Sequence, residues 1–99
     1  MRKSKRKQNL LKHCKFFVKG EIPRADYGGT IRDLSVGGLG LVTNKTLDLG
    51  EELNIEFAFA YRDVTVIGKV VNAHDGKYGI QFTNVSDEDR ELIELVVVP

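Results

Sequence analysis

At 99 residues the chain is one domain, with no room for a second. Apolar residues make up 41% and charged residues 29%, which excludes a disordered chain. No apolar run approaches the roughly 18 residues of a spanning helix, and the lone cysteine, Cys14, excludes an internal disulfide and a cysteine-cluster zinc site.

The net charge of +1 conceals an uneven distribution. Residues 1–19 hold eight of the fifteen basic residues and no acid, so that segment is +8 and the remainder −7. The basic start has no apolar stretch behind it and does not read as a secretory signal. With one free thiol it fits a reducing, cytoplasmic setting. The asymmetry points to an anionic partner, whether phosphate ligand, nucleic acid or membrane surface; a merely solvated arm is the plainer reading.

Residues 1–13 read as a basic arm and residues 14–99 as the folded body. Cys14 to Lys19 is rich in strand formers and is bounded by Gly20 and Pro23. Residues 24–29 read as a loop and Thr30 to Asp33 as a short extended piece. Ser35-Val36-Gly37-Gly38 reads as a tight turn, since adjacent glycines permit positive φ. Leu39 to Thr43 returns as a strand with Leu39 and Leu41 on one face. Asn44 to Gly50 is a connection.

The clearest alternation follows. Ile55, Phe57, Phe59 and Tyr61 face one way, while Asn54, Glu56, Ala58 and Ala60 face the other. Tyr61-Arg62-Asp63 is expected to turn the chain. Val64 to Ala73 is a second long strand, and Gly68 within it marks a bulge or bend. Asp75-Gly76 is a hairpin signal. Tyr78, Ile80 and Phe82 then alternate with Gly79 and Gln81.

The last element reads as a helix. Ser86 is a good N-cap, with Asp89 three residues on, and Asp87, Glu88 and Asp89 suit the positive end of the helix dipole. Leu92, Ile93, Leu95 and Val96 are expected to form its buried face, and the Val96-Val97-Val98 tail to end it early. About six strands and one helix thus describe an all-β fold, closed as a barrel or a sandwich.

Catalysis has little support, and no catalytic residue is assigned. His13 and His74 stand far apart, and neither belongs to a metal-binding pair, so no metal ligand is assigned. Cys14 lacks a recognisable base and oxyanion site and reads as a structural thiol. The chain is not expected to be an enzyme.

Two patterns remain. Arg2-Lys3-Ser4-Lys5-Arg6 is R-x-x-x-R in the basic arm, and Asp33-Leu34-Ser35-Val36-Gly37-Gly38 is D-x-S-x-x-G at a strand turn. Arginine offers a planar fork for phosphate oxygens or a guanine edge, and its face stacks on a base. Aspartate accepts from guanine N–H groups or holds an arginine in place. A serine hydroxyl and glycine N–H groups bind a phosphate or base edge at close approach. The combination suits a guanine nucleotide with phosphates.

At these residues the sequence resembles the PilZ domain family, receptors for the bacterial second messenger cyclic di-GMP. The run Gly37 to Leu41, the Leu49-Gly50-Glu51 turn and Tyr78 to Phe82 extend the likeness over nearly the whole chain. The resemblance implies a six-stranded antiparallel split β-barrel with a short C-terminal helix. It implies that Arg2 and Arg6 clamp the phosphates and stack on or bond to guanine. Asp33 would bind guanine or orient an arginine, and Ser35 would hydrogen-bond the ligand. Gly38 would allow close backbone approach, and Gly37 would help shape the turn. The arm would order over cyclic di-GMP and signal to a protein partner not identified by the sequence. No cofactor beyond that ligand is implied.

Two other readings stay open, a ligand-free adaptor of the same fold and a basic-armed barrel that binds nucleic acid. The acidic body and the core-like placement of Phe16, Phe17, Phe57, Phe59 and Phe82 argue against nucleic acid.

Overall fold

The structure, a computed structural model, describes residues 6–59 and 62–97. Six antiparallel strands and one helix follow in chain order: β1 (Arg6–Val18), β2 (Tyr27–Ser35), β3 (Gly38–Val42), β4 (Glu52–Phe59), β5 (Arg62–His74), β6 (Lys77–Asn84) and α1 (Asp87–Val97). The strands close into a barrel in the order β1-β2-β3-β6-β5-β4, and β4 returns to pair with β1. None of the helices among the described residues is long and apolar enough to cross a membrane.

Alternation explains what lies inside. Cys14, Phe16 and Val18 on β1, Leu53, Ile55, Phe57 and Phe59 on β4, and Val64, Val66 and Val70 on β5 are all buried. Tyr78 and Ile80 on β6 complete that wall. Each such side chain contributes on the order of 1.5–3 kcal/mol by leaving water. Phe16 is 1% exposed, so truncating it to alanine would cost about 3–5 kcal/mol.

Strand pairing begins earlier than composition implies. The pattern places the first strand at Cys14, but β1 starts at Arg6, inside the expected arm. Lys15 and Phe16 pair with both β2 and β4, and Phe17 and Val18 with β4, whereas Arg6 to Gln8 pair with β2. A register shift between Gln8 and Lys12 separates the two parts, and Leu11 within it has φ 51°. A polar strand segment carries no apolar alternation, so its pairing leaves no trace in composition. β2 likewise starts at Tyr27, inside the expected loop.

Other expectations shift in detail. Neither Gly37 nor Gly38 has positive φ; Gly38 is required for closeness instead, since a Cβ there would collide with the Ile80 carbonyl. Gly68 does mark an irregularity, where the β5–β6 register slips and a Cβ would stand 2.5 Å from Ile80 Cγ2. Asp75 and Gly76 have φ of 52° and 77° and form the two-residue turn between the paired His74 and Lys77. The expected inward placement of Tyr61 and the turn through it fall outside the described residues, although β4 and β5 pair as far as Phe59 and Arg62.

Helix α1 is capped as expected, with the Asp89 N–H donating to Ser86 Oγ at 3.1 Å. Its buried face is Leu92, Ile93 and Val97; Leu95 is 77% exposed and Val96 is half-buried. The helix therefore runs on to Val97, because that residue completes an i, i+4 pair with Ile93 against the barrel. The Asp89 carboxylate turns away from the cap. Its Oδ1 accepts from Arg62 Nη1 at 2.9 Å and its Oδ2 from the Thr65 N–H at 3.4 Å, which ties the helix start to β5.

At the opposite end a polar cluster joins two loops. Tyr27 Oη donates to Glu21 Oε1 at 2.7 Å, and Lys45 Nζ donates to Glu21 Oε2 at 3.1 Å. The Tyr27 hydrogen bond, then that from Lys45, holds the Glu21 carboxyl below its ordinary value; the same pairing raises Lys45.

Candidate functional site

A groove of about 840 Å³ lies on the outer face of β2, β3, β6 and β5. Asp33, Ser35, Gly37 and Gly38 all line it. Two irregularities in the sheet explain why polar residues face it.

The first is in β2. Strict alternation from the buried Ile31 would send Asp33 and Ser35 into the barrel. Instead Ile31 pairs with Leu41 and Asp33 with Gly40, so Arg32 is an extra residue. That slip turns Leu34 inward, where it is 0% exposed, and sends Asp33 to the outer face. The second is in β5. Val70 pairs with Ile80 and Asn72 with Gly79, leaving Val71 as the extra residue. Val70 is buried and Asn72 is exposed at the groove.

The two irregularities face each other across one row of partners. Asp33 pairs with Gly40, Gly40 with Gly79, and Gly79 with Asn72. Both polar side chains lean inward along this row. A Cβ at Gly40 would stand 2.7 Å from Asp33 Oδ2, and one at Gly79 would stand 2.5 Å from Asn72 Nδ2 and 2.6 Å from its Oδ1. The glycines are thus the places where a carboxylate and a carboxamide lie against the strands.

Ser35 ends β2 and is 2% exposed. Its Oγ donates to the Gly38 carbonyl at 3.2 Å across the turn. Gly37 is exposed, and nothing lies within 4 Å of a Cβ there, so it sets no close contact. Arg6 enters the site through pairing: Arg6 is the register partner of Ser35, and Gln8 of Asp33. The backbone register therefore brings the second arginine of R-x-x-x-R onto the D-x-S-x-x-G turn. Arg2, the first arginine, lies outside the described residues.

The groove also holds residues that the sequence reading passed over. Arg32 on β2 and Lys77 on β6 add cationic side chains to it. Asn72 was hidden by the slip at Val71, which alternation alone does not reveal. Gly40 and Gly79 did carry a signal, because a glycine inside an alternating strand often marks close approach. Among the described residues there is no cluster of metal-ligating side chains. Burial raises the Cys14 thiol from its ordinary value of 9.0 to about 11, so it is protonated and unreactive at neutral pH.

Known structures share this architecture. The PilZ domain of CeSA from a cellulose-synthesizing bacterium superposes with a TM-score of 0.70 at 14% identity, covering 93% of each chain. The PilZ domain of YcgR from Escherichia coli, solved with c-di-GMP, gives 0.73 at 16% identity, covering 97% of this chain and 88% of that one. The Bacillus subtilis inhibitor of motility MotI/DgrA gives 0.75 at 13% identity; the match covers 96% of this chain and 49% of that one. No curated protein matches by sequence. The sequence profile described as PilZ domain matches residues 1–97, nearly the full length, and with the barrel, its C-terminal helix and the two motifs it places this chain in the PilZ domain family.

Proposed function

We propose that this PilZ domain binds cyclic di-GMP in the groove over β2, β3, β6 and β5, and passes the bound state to a protein partner. The observation that carries the reading is the Arg6–Ser35 register, which joins two motifs far apart in sequence. Arginine at that position supplies a fork for phosphate oxygens, and Asp33 supplies a carboxylate for guanine N–H donors. Gly38 lets β3 pack against the Ile80 carbonyl of β6 at the edge of the groove. The PilZ domain of YcgR, solved with c-di-GMP, shares the fold and supports the choice of ligand.

The proposed action is binding and ordering, with no bond made or broken and no cofactor beyond the ligand. Arg6 to Gln8 pair with β2, and a ligand held between that segment and the groove would tie it down further. Ordering entropy opposes this, and charge-assisted hydrogen bonds offset it; a micromolar site needs about 8 kcal/mol in total. Cytoplasmic placement follows from the same reading.

Isothermal titration with cyclic di-GMP, with GTP and cyclic di-AMP as controls, tests the proposal. Saturable, selective heat at micromolar ligand supports it. No heat and no thermal shift at about 100 µM, a ligand level that would saturate a site near −8 kcal/mol, overturns it in favour of an adaptor or nucleic-acid module.

A further inference from the structure

We infer that Asn72, on the far wall of the groove from the motif residues, is a specificity-determining residue that reads the same guanine as Asp33. The inference rests on the reading of the groove as a cyclic di-GMP site. It starts from the row Asp33–Gly40–Gly79–Asn72. Asp33 leans over Gly40 and Asn72 over Gly79, and those two glycines are direct partners on neighbouring strands. The two polar heads are therefore brought about one strand spacing apart, roughly 4.8 Å. That separation suits two adjacent hydrogen-bonding groups on one purine edge.

The chemistry of the pair is selective. A carboxylate only accepts, whereas a carboxamide also donates. The Watson–Crick edge of guanine carries two neighbouring donors, N1–H and the N2 amino group, beside one acceptor, O6. Asp33 matches the donors, and the Asn72 amide matches O6. Adenine presents a bare N1 where guanine has N1–H, so its lone pair would face the carboxylate. The same two residues thus favour guanine and disfavour adenine.

Asn72 has the freedom this role needs. It is exposed, and its Nδ2 and Oδ1 lie almost equally close to Gly79, so the amide lies flat and either end can be presented. No side-chain hydrogen bond to another described residue consumes it. The position exists on the outer face only because Val71 is an extra residue in β5. An asparagine at this site contributes little to the barrel core, so a structural role alone would leave ligand choice untouched.

The test is titration of cyclic di-GMP and cyclic di-AMP into the wild type, Asn72→Ala and Asn72→Asp, with melting curves of each free protein. Asn72→Ala is expected to weaken cyclic di-GMP about tenfold, the worth of one good hydrogen bond. Cyclic di-AMP binding should not weaken with it, so the ratio between the two ligands falls. Asn72→Asp, which sets a second acceptor against O6, should lose more than Asn72→Ala, while both keep the wild-type melting temperature. If the wild type binds but both variants stay within about threefold of it, less than half the worth of that bond in kcal/mol, the inference is overturned and the site reading stands. If the wild type fails to bind cyclic di-GMP, both fall.

Discussion

Arg6 and Ser35 are partners across the β1–β2 ladder, although 28 intervening residues separate them in sequence. The pairing makes the site depend on the outer end of β1. Arg6→Ala should abolish cyclic di-GMP binding and leave the melting temperature of the free protein nearly unchanged, because Arg6 is the first residue of β1 and its pairing with Ser35 is made by the backbone. Asp33→Ala should weaken binding in the same way. Titration and a melting curve on each variant check both outcomes, and retained binding in both would refute the site.

Ser35 differs from Asp33 in one respect. It is buried, and its hydroxyl donates to the Gly38 carbonyl. Ser35→Ala should therefore lower stability as well as affinity, by about 1 kcal/mol. In a domain of this size that is a fall of about 4–8 °C in Tm. Differential scanning calorimetry of the ligand-free variant separates this loss from the binding defect.

The neighbouring glycines of the turn should behave oppositely. A Cβ at Gly38 would collide with the Ile80 backbone carbonyl, which moves only if β3 and β6 separate. Gly38→Ala should cost about 3 kcal/mol or more, and the barrel should open or fail to fold. Gly37 has open space around it and no positive φ, so Gly37→Ala should keep the fold. Urea denaturation of the two variants compares them directly.

These positions also mark what sequence reveals. The alternation of Ile55, Phe57 and Phe59 announced β4, and Asp75-Gly76 announced its hairpin, because both signals are local. Asp33, Ser35 and Gly38 were legible through a short motif. The extra residues Arg32 and Val71 were not, since each slip is set by pairing with a distant strand and a one-residue shift leaves composition unchanged. The start of β1 was hidden for a related reason: Lys7 and Gln8 carry no apolar pattern, and β2 is what holds them. On the helix, Leu95 and Val97 exchange roles because burial follows the face turned to the barrel rather than hydrophobicity.

The Arg62–Asp89 ion pair links the start of β5 to the first turn of α1, and its carboxylate is mostly shielded, with 12% of the side chain exposed. Arg62 is more open at 35%, so solvent screens part of the attraction. Removing the arginine still leaves a shielded carboxylate with a weaker set of partners. Arg62→Ala should cost about 1–2 kcal/mol. Hydrogen exchange should show the α1 amides opening faster than in the wild type and the β4 amides unchanged, since the helix loses one of its ties to the barrel while β4 keeps both neighbours.

Cys14 gives a pH prediction. Burial raises its pKa from 9.0 to about 11 in the folded protein. Between those values the folded chain keeps a proton that the unfolded chain has lost. The sign follows: the thiol's contribution is fully present below pH 9 and is lost as pH rises towards 11. Chemical denaturation at a series of alkaline pH values should show stability falling in that window, and Cys14→Ala should flatten this part of the profile. A thiol reagent at pH 8 should label Cys14 only on unfolding.

Salt separates a dinucleotide ligand from a nucleic-acid polymer. Residues 1–19 carry +8, enough to bind any polyanion through charge alone. A polymer contacting about six cations releases condensed counterions, so its affinity should fall roughly a thousandfold between 50 and 200 mM salt. Cyclic di-GMP has two phosphates and little condensed counterion, and Asp33 would bind its base without releasing any. Its affinity should fall less than about tenfold over the same range. Titrations at the two salt concentrations, with cyclic di-GMP and with a mixed-sequence oligonucleotide, make the comparison. A steep fall for cyclic di-GMP would mean that the lysine-rich segment holds it as a bare anion and that the groove does not read it.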